Sequence, residues 1–113
     1  VLEGAGGLMV PLNEHHETFL DIYKKAGLPV VVVSRHYLGS INHTLLTIDR
    51  LKQEGLNILG IVYVGDENEV TESIIERNTG VKQLARIPWT EELNSTFVKE
   101  QSSKLKGLLY ELS

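Results

Sequence analysis

The sequence predicts an α/β protein in which a mainly parallel sheet is doubly wound and carries helices on both faces. Apolar runs of strand length alternate with segments of helical periodicity along all 113 residues, and this order is typical of consecutive strand–helix units. Four consecutive valines at positions 30–33 are not interrupted by polar residues, as expected for a strand that is covered on both faces. The length suits a single domain.

The first half of the chain opens with an apolar stub at Val1 and Leu2, which we interpret as the end of a strand, and a second extended piece is predicted over residues 8–12. A helix is predicted over residues 17–26 and ends at Gly27, because glycine favours the left-handed conformation that follows many helices. Its apolar face is formed by four residues at helical spacing, namely Phe19, Ile22, Tyr23 and Ala26.

The remaining elements alternate regularly, and the crossovers between parallel strands are expected to be right-handed. Strands are predicted over residues 29–34, 58–64 and 81–87, and helices over residues 40–54, 67–79 and 91–112. The helix over residues 67–79 is expected to bury Val70, Ile74 and Ile75. The polar residues 94–96 either interrupt or cap the last helix.

The composition excludes several classes of protein. A net charge of −4 argues against a nucleic-acid-binding protein, which would normally carry a basic patch. The chain has no cysteine, which excludes disulfides, zinc–thiolate sites and cysteine nucleophiles. No apolar run reaches the roughly 18 residues that a membrane span needs, and no signal peptide is visible. We therefore expect a cytoplasmic protein that binds neither nucleic acid nor a membrane.

The chain has no initiator methionine and begins inside an apolar run. A strand stub at the first residues would be an unusual start for a domain, since strands usually have about five or six residues. We therefore expect residues 1–113 to form a single α/β domain that is the carboxyl-terminal portion of a larger one, with the amino-terminal part outside this sequence.

The first candidate site is an acid followed at once by glycines, which we call the glycine turn: Glu3, Gly4, Ala5, Gly6 and Gly7. In α/β sheets, ligands bind at the carboxyl ends of the strands. A carboxylate there can hold Mg²⁺ together with phosphate oxygens and waters, and glycine lets the backbone approach a ligand closely. The pattern fits equally a solvated acid before a flexible turn, because it contains no phosphate-loop lysine.

The second candidate site is the start of the helix over residues 40–54, which we call the helix start: Gly39, Ser40, Ile41 and Asn42. Backbone amides at a helix amino terminus bind carboxylate or phosphate groups. These four residues would present such amides at the carboxyl edge of the sheet. The alternative is simple capping of the helix by Ser40 or Asn42.

The third candidate site follows the strand over residues 81–87. It either forms one side of a pocket for a planar base or is an ordinary hydrophobic turn, and it consists of Ile87, Pro88 and Trp89. The four histidines lack the spacing of known metal-binding motifs, and we interpret all of them as solvent-facing or capping residues: His15, His16, His36 and His43.

In combination, these motifs resemble dethiobiotin synthetase. The match covers most of the chain and runs from EGAGG at residues 3–7, through YLGSINHTLLT at residues 37–47, to IPW at residues 87–89. Its order and spacing fit the carboxyl-terminal half of that enzyme. The resemblance implies a P-loop NTPase-like fold and an ATP-dependent ligase of biotin synthesis. Such a ligase carboxylates 7,8-diaminononanoate with CO₂ and closes the ureido ring through a carbamic–phosphoric anhydride.

The resemblance also implies a role for each candidate residue. Glu3 is expected to bind Mg²⁺ at the reacting phosphates of ATP. The diamine and carbamate end of the substrate is expected to lie along Gly4, Ala5, Gly6 and Gly7. The distant carboxylate of the substrate, reaching across a homodimer interface, is expected to bind Gly39, Ser40, Ile41 and Asn42. The adenine pocket is expected to include Ile87, Pro88 and Trp89.

The sequence departs from the family in two ways. The phosphate-binding loop, G-x-x-x-x-G-K-[ST], is absent, so no catalytic residue is assigned within the chain, which we expect to be inactive alone. Val64 or Gly65 stands near the position at which several members place an asparagine against adenine, so base contacts are either rebuilt or relaxed. Two alternatives to the synthetase are a cobyrinic or cobyric acid synthase-like ligase, which shares EGAGG but does not explain YLGSINH, and a non-catalytic synthetase-like binding or regulatory domain.

Overall fold

The computed structural model describes residues 1–112, together with the side chains of all of these except Leu109, Glu111 and Leu112. Three strands and four helices form this part of the chain. The strands are β1 (Val30–Arg35), β2 (Ile58–Val64) and β3 (Gln83–Ile87). The helices are α1 (Phe19–Ala26), α2 (Ser40–Gln53), α3 (Glu69–Thr79) and α4 (Ser95–Leu112).

The three strands form one sheet in the order β1-β2-β3, and both pairs of neighbours run parallel. Arg35 lies opposite Val64, and Val64 lies opposite Ile87. The strands therefore end at the same edge of the sheet. This confirms the predicted α/β class with a parallel sheet, and it places the loops that follow the three strands side by side.

One face of the sheet is packed into the main core. The core residues come from α1, β1, α2, β2 and α3, and they are Leu20, Val32, Ile48, Leu51, Ile61, Tyr63 and Ile75. Full burial of an aliphatic side chain of this size contributes about 1.5–3 kcal/mol. The cluster therefore holds three helices on one face of β1 and β2.

The opposite face of the sheet is covered unevenly. Val62 points away from the core cluster and is only 4% exposed, and α4 packs against β3. Val33 on β1, in contrast, is 66% exposed. The prediction that the whole valine run is covered on both faces is therefore wrong for this part of the chain. The reason is that α4 packs against β3, and β3 is the edge strand opposite β1.

Two helices bury a different face from the one predicted. In α1, Leu20 is 2% exposed whereas Ile22 is 37% exposed. The Leu20 N–H donates to the Leu8 carbonyl at 3.0 Å, which brings this side of α1 to the core. In α3, Ile75 is buried as predicted, but Val70 is 71% exposed, because the inward position of the first turn belongs to Glu72.

The predicted first strand is not formed within the described residues. Residues 1–3 form no strand and are unpaired in the sheet, and Val1 and Leu2 are exposed. A strand requires a neighbour that satisfies its backbone N–H and C=O groups, and residues 1–112 supply none at this position. The piece predicted over residues 8–12 contributes only an isolated antiparallel bridge between Pro11 and Thr18.

The polar segment before α4 caps that helix and does not interrupt it. The Phe97 N–H donates to the Asn94 side chain at 2.9 Å, and α4 begins at Ser95, four residues later than predicted. The helices within residues 1–112 are each too short or too polar to cross a bilayer.

Candidate active site

All three predicted sites gather around the carboxyl edge of the sheet. The helix start follows β1, and Pro88 and Trp89 follow β3 directly. Because β1 and β3 end in register with β2, these two sites flank the end of the central strand. The glycine turn contacts α1 through Gly4 and the first turn of α2 through Gly7.

The glycine turn has a backbone shape that only glycine adopts easily. Gly6 and Gly7 have φ angles of +81° and +129°, in a region that side chains with a Cβ disfavour. Gly4 has a different requirement: a Cβ at this position would collide with the Tyr23 hydroxyl. Residues 4–7 therefore present mainly backbone, which suits close approach by a ligand.

A histidine joins the glycine turn to α2. The Tyr37 hydroxyl and His43 Nδ1 are hydrogen-bonded at 2.7 Å, which orients the imidazole ring. A Cβ on Gly7 would lie 3.5 Å from His43 Nε2, so this nitrogen faces the turn. Gly7 and His43 line a groove of about 390 Å³. Its walls also include Gly6, Met9, Leu46 and Arg50. The structure thus places the glycine turn against α2 at His43, the residue that follows the helix start, while none of the four helix-start residues lines the groove.

The helix start is capped by backbone and not by a side chain. Gly39 is the N-cap residue of α2, with φ at +95°, and the Ser40 N–H donates to the Tyr37 carbonyl at 3.0 Å. Among the hydrogen bonds of residues 1–112, neither Ser40 nor Asn42 caps the helix with its side chain. The capping alternative is therefore wrong, and the amides of Ile41 and Asn42 lie in the first turn, which has no intrahelical partners for them.

Glu3 lies on an exposed segment beside α1 and not at the end of a strand. Burial raises the pKa of the Tyr23 phenol, and the nearby Glu3 carboxylate adds to that rise, which places Glu3 close to the tyrosine that packs on Gly4. Within residues 1–112, no group of three or more His, Cys, Asp or Glu side chains forms a metal site. One carboxylate fits Mg²⁺ only if phosphate oxygens and waters complete the coordination.

Trp89 follows β3 and is exposed, but the Arg35 side chain covers one face of its ring. The Arg35 guanidinium carbon lies 4.9 Å from the indole ring centroid, and Trp89 is 61% exposed. The Gly65 N–H donates to the Ile87 carbonyl at 2.9 Å. These contacts tie the third candidate site to the ends of β1 and β2, while leaving much of the indole open.

Sequence reasoning missed a group of four side chains that we call the Glu72 cluster: His36, Tyr63, Glu72 and Arg86. His36 Nε2 lies 2.8 Å and Arg86 Nη2 lies 2.5 Å from the Glu72 Oε1 atom. Burial alone would raise the pKa of the Glu72 carboxyl, but hydrogen bonds from Arg86, His36 and the Asn68 N–H outweigh burial and lower it. Glu72 is therefore an ionised group in a largely buried setting. The only sequence signal was the position of His36 and Arg86 at strand ends.

The interpretation of the histidines as solvent-facing or capping residues is correct for three of them. His15, His16 and His43 are exposed. The His36 side chain is only 17% exposed, so the prediction is wrong there. The reason is the ring contact with Tyr63, whose centroid lies 5.4 Å away, together with the carboxylate of Glu72 on the other side.

Comparison with known families agrees with this geometry. Residues 1–96 match the sequence model of a family described as an AAA domain. The chain belongs to this family. Its members are P-loop NTPases, which confirms the predicted fold type. The matched range of the AAA domain contains all three strands and all three candidate sites.

Similar proteins carry the name ATP-dependent dethiobiotin synthetase BioD, which confirms the resemblance. The protein from Christiangramia forsetii is 47% identical over 112 residues, which are 99% of this chain and 53% of that protein. The one from Cytophaga hutchinsonii is 40% identical over 111 residues, 98% of this chain and 53% of that protein. The one from Brucella anthropi is 41% identical over 100 residues, 88% of this chain and 47% of that protein. This chain thus spans about half the length of the curated relatives that it matches.

Proposed function

We propose that this chain is the carboxyl-terminal portion of an ATP-dependent dethiobiotin synthetase, a ligase of biotin synthesis. An amine of 7,8-diaminononanoate adds to CO₂ and forms a carbamate. The γ-phosphoryl group of ATP passes to a carbamate oxygen, and ADP leaves. The second amine attacks the carbamate carbon, and phosphate leaves as the ureido ring closes. The observation that supports this function best is the groove in which the glycine turn faces His43, in the first turn of α2.

The backbone of the glycine turn would bind the diamine and carbamate end of the substrate. Gly6 and Gly7 line the groove with bare backbone, and Gly4 is packed beneath them on Tyr23. Phosphoryl transfer needs little covalent chemistry from the protein, so accurate positioning supplies much of the rate. A glycine backbone held by packing on Tyr23 is a rigid surface for that purpose.

The helix start would bind the distant carboxylate of the substrate. The open amides of Ile41 and Asn42 point out of the amino terminus of α2, where the partial positive charge of the helix favours an anion. In this proposal two copies of the protein form a homodimer, and the carboxylate bound by one copy belongs to the substrate of the other.

Glu3 would hold Mg²⁺ at the reacting phosphates. The exposed carboxylate next to a bare glycine backbone leaves room for phosphate oxygens and waters, which a hard cation requires as further ligands. When bound, Mg²⁺ would neutralise the negative charge of the transferred phosphoryl group. The phosphate-binding loop and its lysine would come from the remainder of the protein.

Ile87, Pro88 and Trp89 would line the nucleotide base. The open part of the Trp89 ring offers a surface on which a planar base can stack. Gly65, which stands near the asparagine position of several family members, uses its N–H for Ile87 and its carbonyl for Arg86. We therefore assign the base contacts to the residues after β3 and not to Gly65. A cytoplasmic location, where ATP is available, belongs to the same proposal.

The direct test measures dethiobiotin by mass spectrometry after the complete protein has been incubated with 7,8-diaminononanoate, bicarbonate, ATP and Mg²⁺. Product formation that requires ATP is the expected result. The 113-residue chain alone should form none, because it has no phosphate-binding loop. Nucleotide binding by the complete protein without product would favour the regulatory domain, and amidation of a corrin carboxylate would favour the corrin ligase. Either result would contradict the proposal.

A further inference from the structure

Glu72 lies where donors from different parts of the chain converge. Its Oε1 atom accepts from His36 Nε2 at 2.8 Å and from Arg86 Nη2 at 2.5 Å, and the Asn68 N–H lies 3.4 Å away. His36 follows β1 directly, and Arg86 is the last but one residue of β3. Since β2 lies between these strands, one carboxylate on α3 connects the two outer strands of the described sheet across the central one.

The Glu72 cluster rests on the central strand. Tyr63 of β2 is 2% exposed. The His36 ring stacks on it with centroids 5.4 Å apart, and the Arg86 guanidinium carbon lies 5.6 Å from its ring centroid. Arg86 Nη1 also donates to the Gly65 carbonyl at 3.1 Å, just beyond the end of β2. The cluster therefore contacts the carboxyl end of every strand in the described sheet.

The cluster is shielded from water, which limits how far its parts can move independently. The side chains of Glu72, His36 and Arg86 are 11%, 17% and 22% exposed. A largely buried ion pair adds little net stability, because desolvation offsets the attraction between the charges. Breaking such a pair is nevertheless costly, since it leaves one charge unpaired. The arrangement is thus better suited to fixing geometry than to raising stability.

We propose that Glu72 is a positioning residue that sets the distance between the loop after β1 and the loop after β3. The inference rests on the proposed function, in which the first loop leads into the carboxylate-binding helix start and the second carries the base-binding residues. In this proposal Glu72 contacts neither ATP nor the diamine. It acts through His36, one residue before Tyr37 and three before Gly39, and through Arg86, one residue before Ile87.

This linkage predicts a specific kinetic signature. If one carboxylate positions both loops, its loss disturbs the binding of ATP and of the diamine together. A purely structural role would instead reduce the amount of folded enzyme, which lowers the apparent kcat and leaves each KM unchanged.

The first measurement is hydrogen exchange in the complete protein with Glu72→Gln, which keeps the size of the side chain but removes its charge. Amides in residues 35–40 and in residues 86–90 should both exchange about fivefold faster, because local opening of both loops becomes easier. The matched control is Glu69→Gln, one turn earlier on α3, which should change neither segment. Faster exchange in only one segment, or in neither, would overturn the inference.

The second measurement is steady-state kinetics of the same variants. Glu72→Gln should raise KM for ATP and KM for the diamine, each about five- to tenfold, and change kcat less than about twofold. A loss of kcat with both KM values unchanged would overturn the inference. If the unmodified protein forms no dethiobiotin, the proposed function is wrong, and the exchange experiment still decides whether Glu72 couples the two loops.

A double variant separates positioning from stability. Replacing both charged partners by apolar groups of similar size, Glu72→Leu with Arg86→Met, is often neutral for stability. It leaves no charge unpaired between these two residues, but it also removes the hydrogen bonds to His36 and to the Gly65 carbonyl. Raised KM values in a variant with the melting temperature of the unmodified protein would support positioning. If the double variant has the melting temperature and also the KM values of the unmodified protein, the positioning role is overturned.

Discussion

The glycine turn and the Glu72 cluster lie at the same edge of one sheet but are built in opposite ways. The turn offers mainly glycine backbone beside the Glu3 carboxylate and is largely exposed. The cluster consists of side chains and is largely buried. One oxygen of its Glu72 carboxylate accepts hydrogen bonds from the His36 imidazole and the Arg86 guanidinium. Open backbone groups suit binding to a ligand, whereas a carboxylate that already holds its partners suits fixing the frame around that ligand. In the proposed function, the difference separates residues that would contact substrate from residues that would hold them in place.

Loss of the Glu3 charge should have the largest effect on activity. Glu3→Gln in the complete enzyme should lower kcat by about 100-fold, the size of effect expected when one group that stabilises transition-state charge is removed. The melting temperature should hardly change, because Glu3 is exposed. The measurement is turnover at modest Mg²⁺ concentration. Glu14→Gln, another exposed loop carboxylate, is the control, and near-normal kinetics for Glu3→Gln would rule out the metal role.

A methyl group on the glycine turn should lower the stability of the protein. Gly4→Ala places a Cβ where the Tyr23 hydroxyl lies, and overpacking of this kind costs about 1–3 kcal/mol. Tyr23→Phe in the same chain removes the obstructing oxygen and should restore most of the loss. Urea unfolding measures both changes. Gly107→Ala is the control, because its Cβ meets no atom within 4 Å and alanine is the better helix former. Equal stability of Gly4→Ala and the unmodified protein would contradict the packing assigned to the turn.

A bulky residue at the helix start should affect one substrate only. Asn42→Phe should raise KM for the diamine about tenfold, equivalent to about 1.4 kcal/mol of binding, because the aromatic ring blocks access to the open amides. KM for ATP should stay unchanged. Gln53→Phe, at the opposite end of α2, is the control for the presence of a new aromatic side chain. A change confined to ATP would show that the helix start does not bind the substrate carboxylate.

The last prediction concerns how the stability lost in Glu72→Gln depends on pH. The pKa of Glu72 is lowered in the folded state, so its ionised form stabilises the protein above the usual carboxyl range. That contribution is lost as the pH falls from the unfolded-state pKa through the lower folded-state pKa. Glu72→Gln should therefore be less stable than the unmodified protein near pH 7, and the difference should narrow in acid. Urea midpoints at several pH values test this, and a difference independent of pH would contradict the ionised cluster.

Much of the fold was predictable because local patterns determine it. The strand over residues 58–64 was predicted with the bounds that the structure has, and Gly27 and Gly80 end their helices in the left-handed conformation. The buried faces were harder to predict. Val70 fits a helical apolar stripe as well as Ile75 does, and only packing against the sheet decides that Glu72 takes the inward place.

The candidate sites divide in the same way. The glycine turn and the helix start have local signatures, because glycine and helix amino termini have conformational meaning in a single stretch of sequence. The Glu72 cluster joins residues separated by 36 and 14 positions, and no periodicity connects them. Its charge pairing depends on strand order, which a single sequence leaves open. The hydrogen bond between Tyr37 and His43 escaped notice despite their closeness, because it depends on the bend at Gly39.

β1 has a neighbouring strand on one side only in the described sheet, and its Val33 side chain is 66% exposed on the less covered face. An open strand edge next to an apolar surface is a template for pairing with another chain. When produced by itself, the 113-residue chain should therefore be prone to self-association at high concentration. The same edge is the place at which a separately expressed β-strand would be expected to add to the sheet.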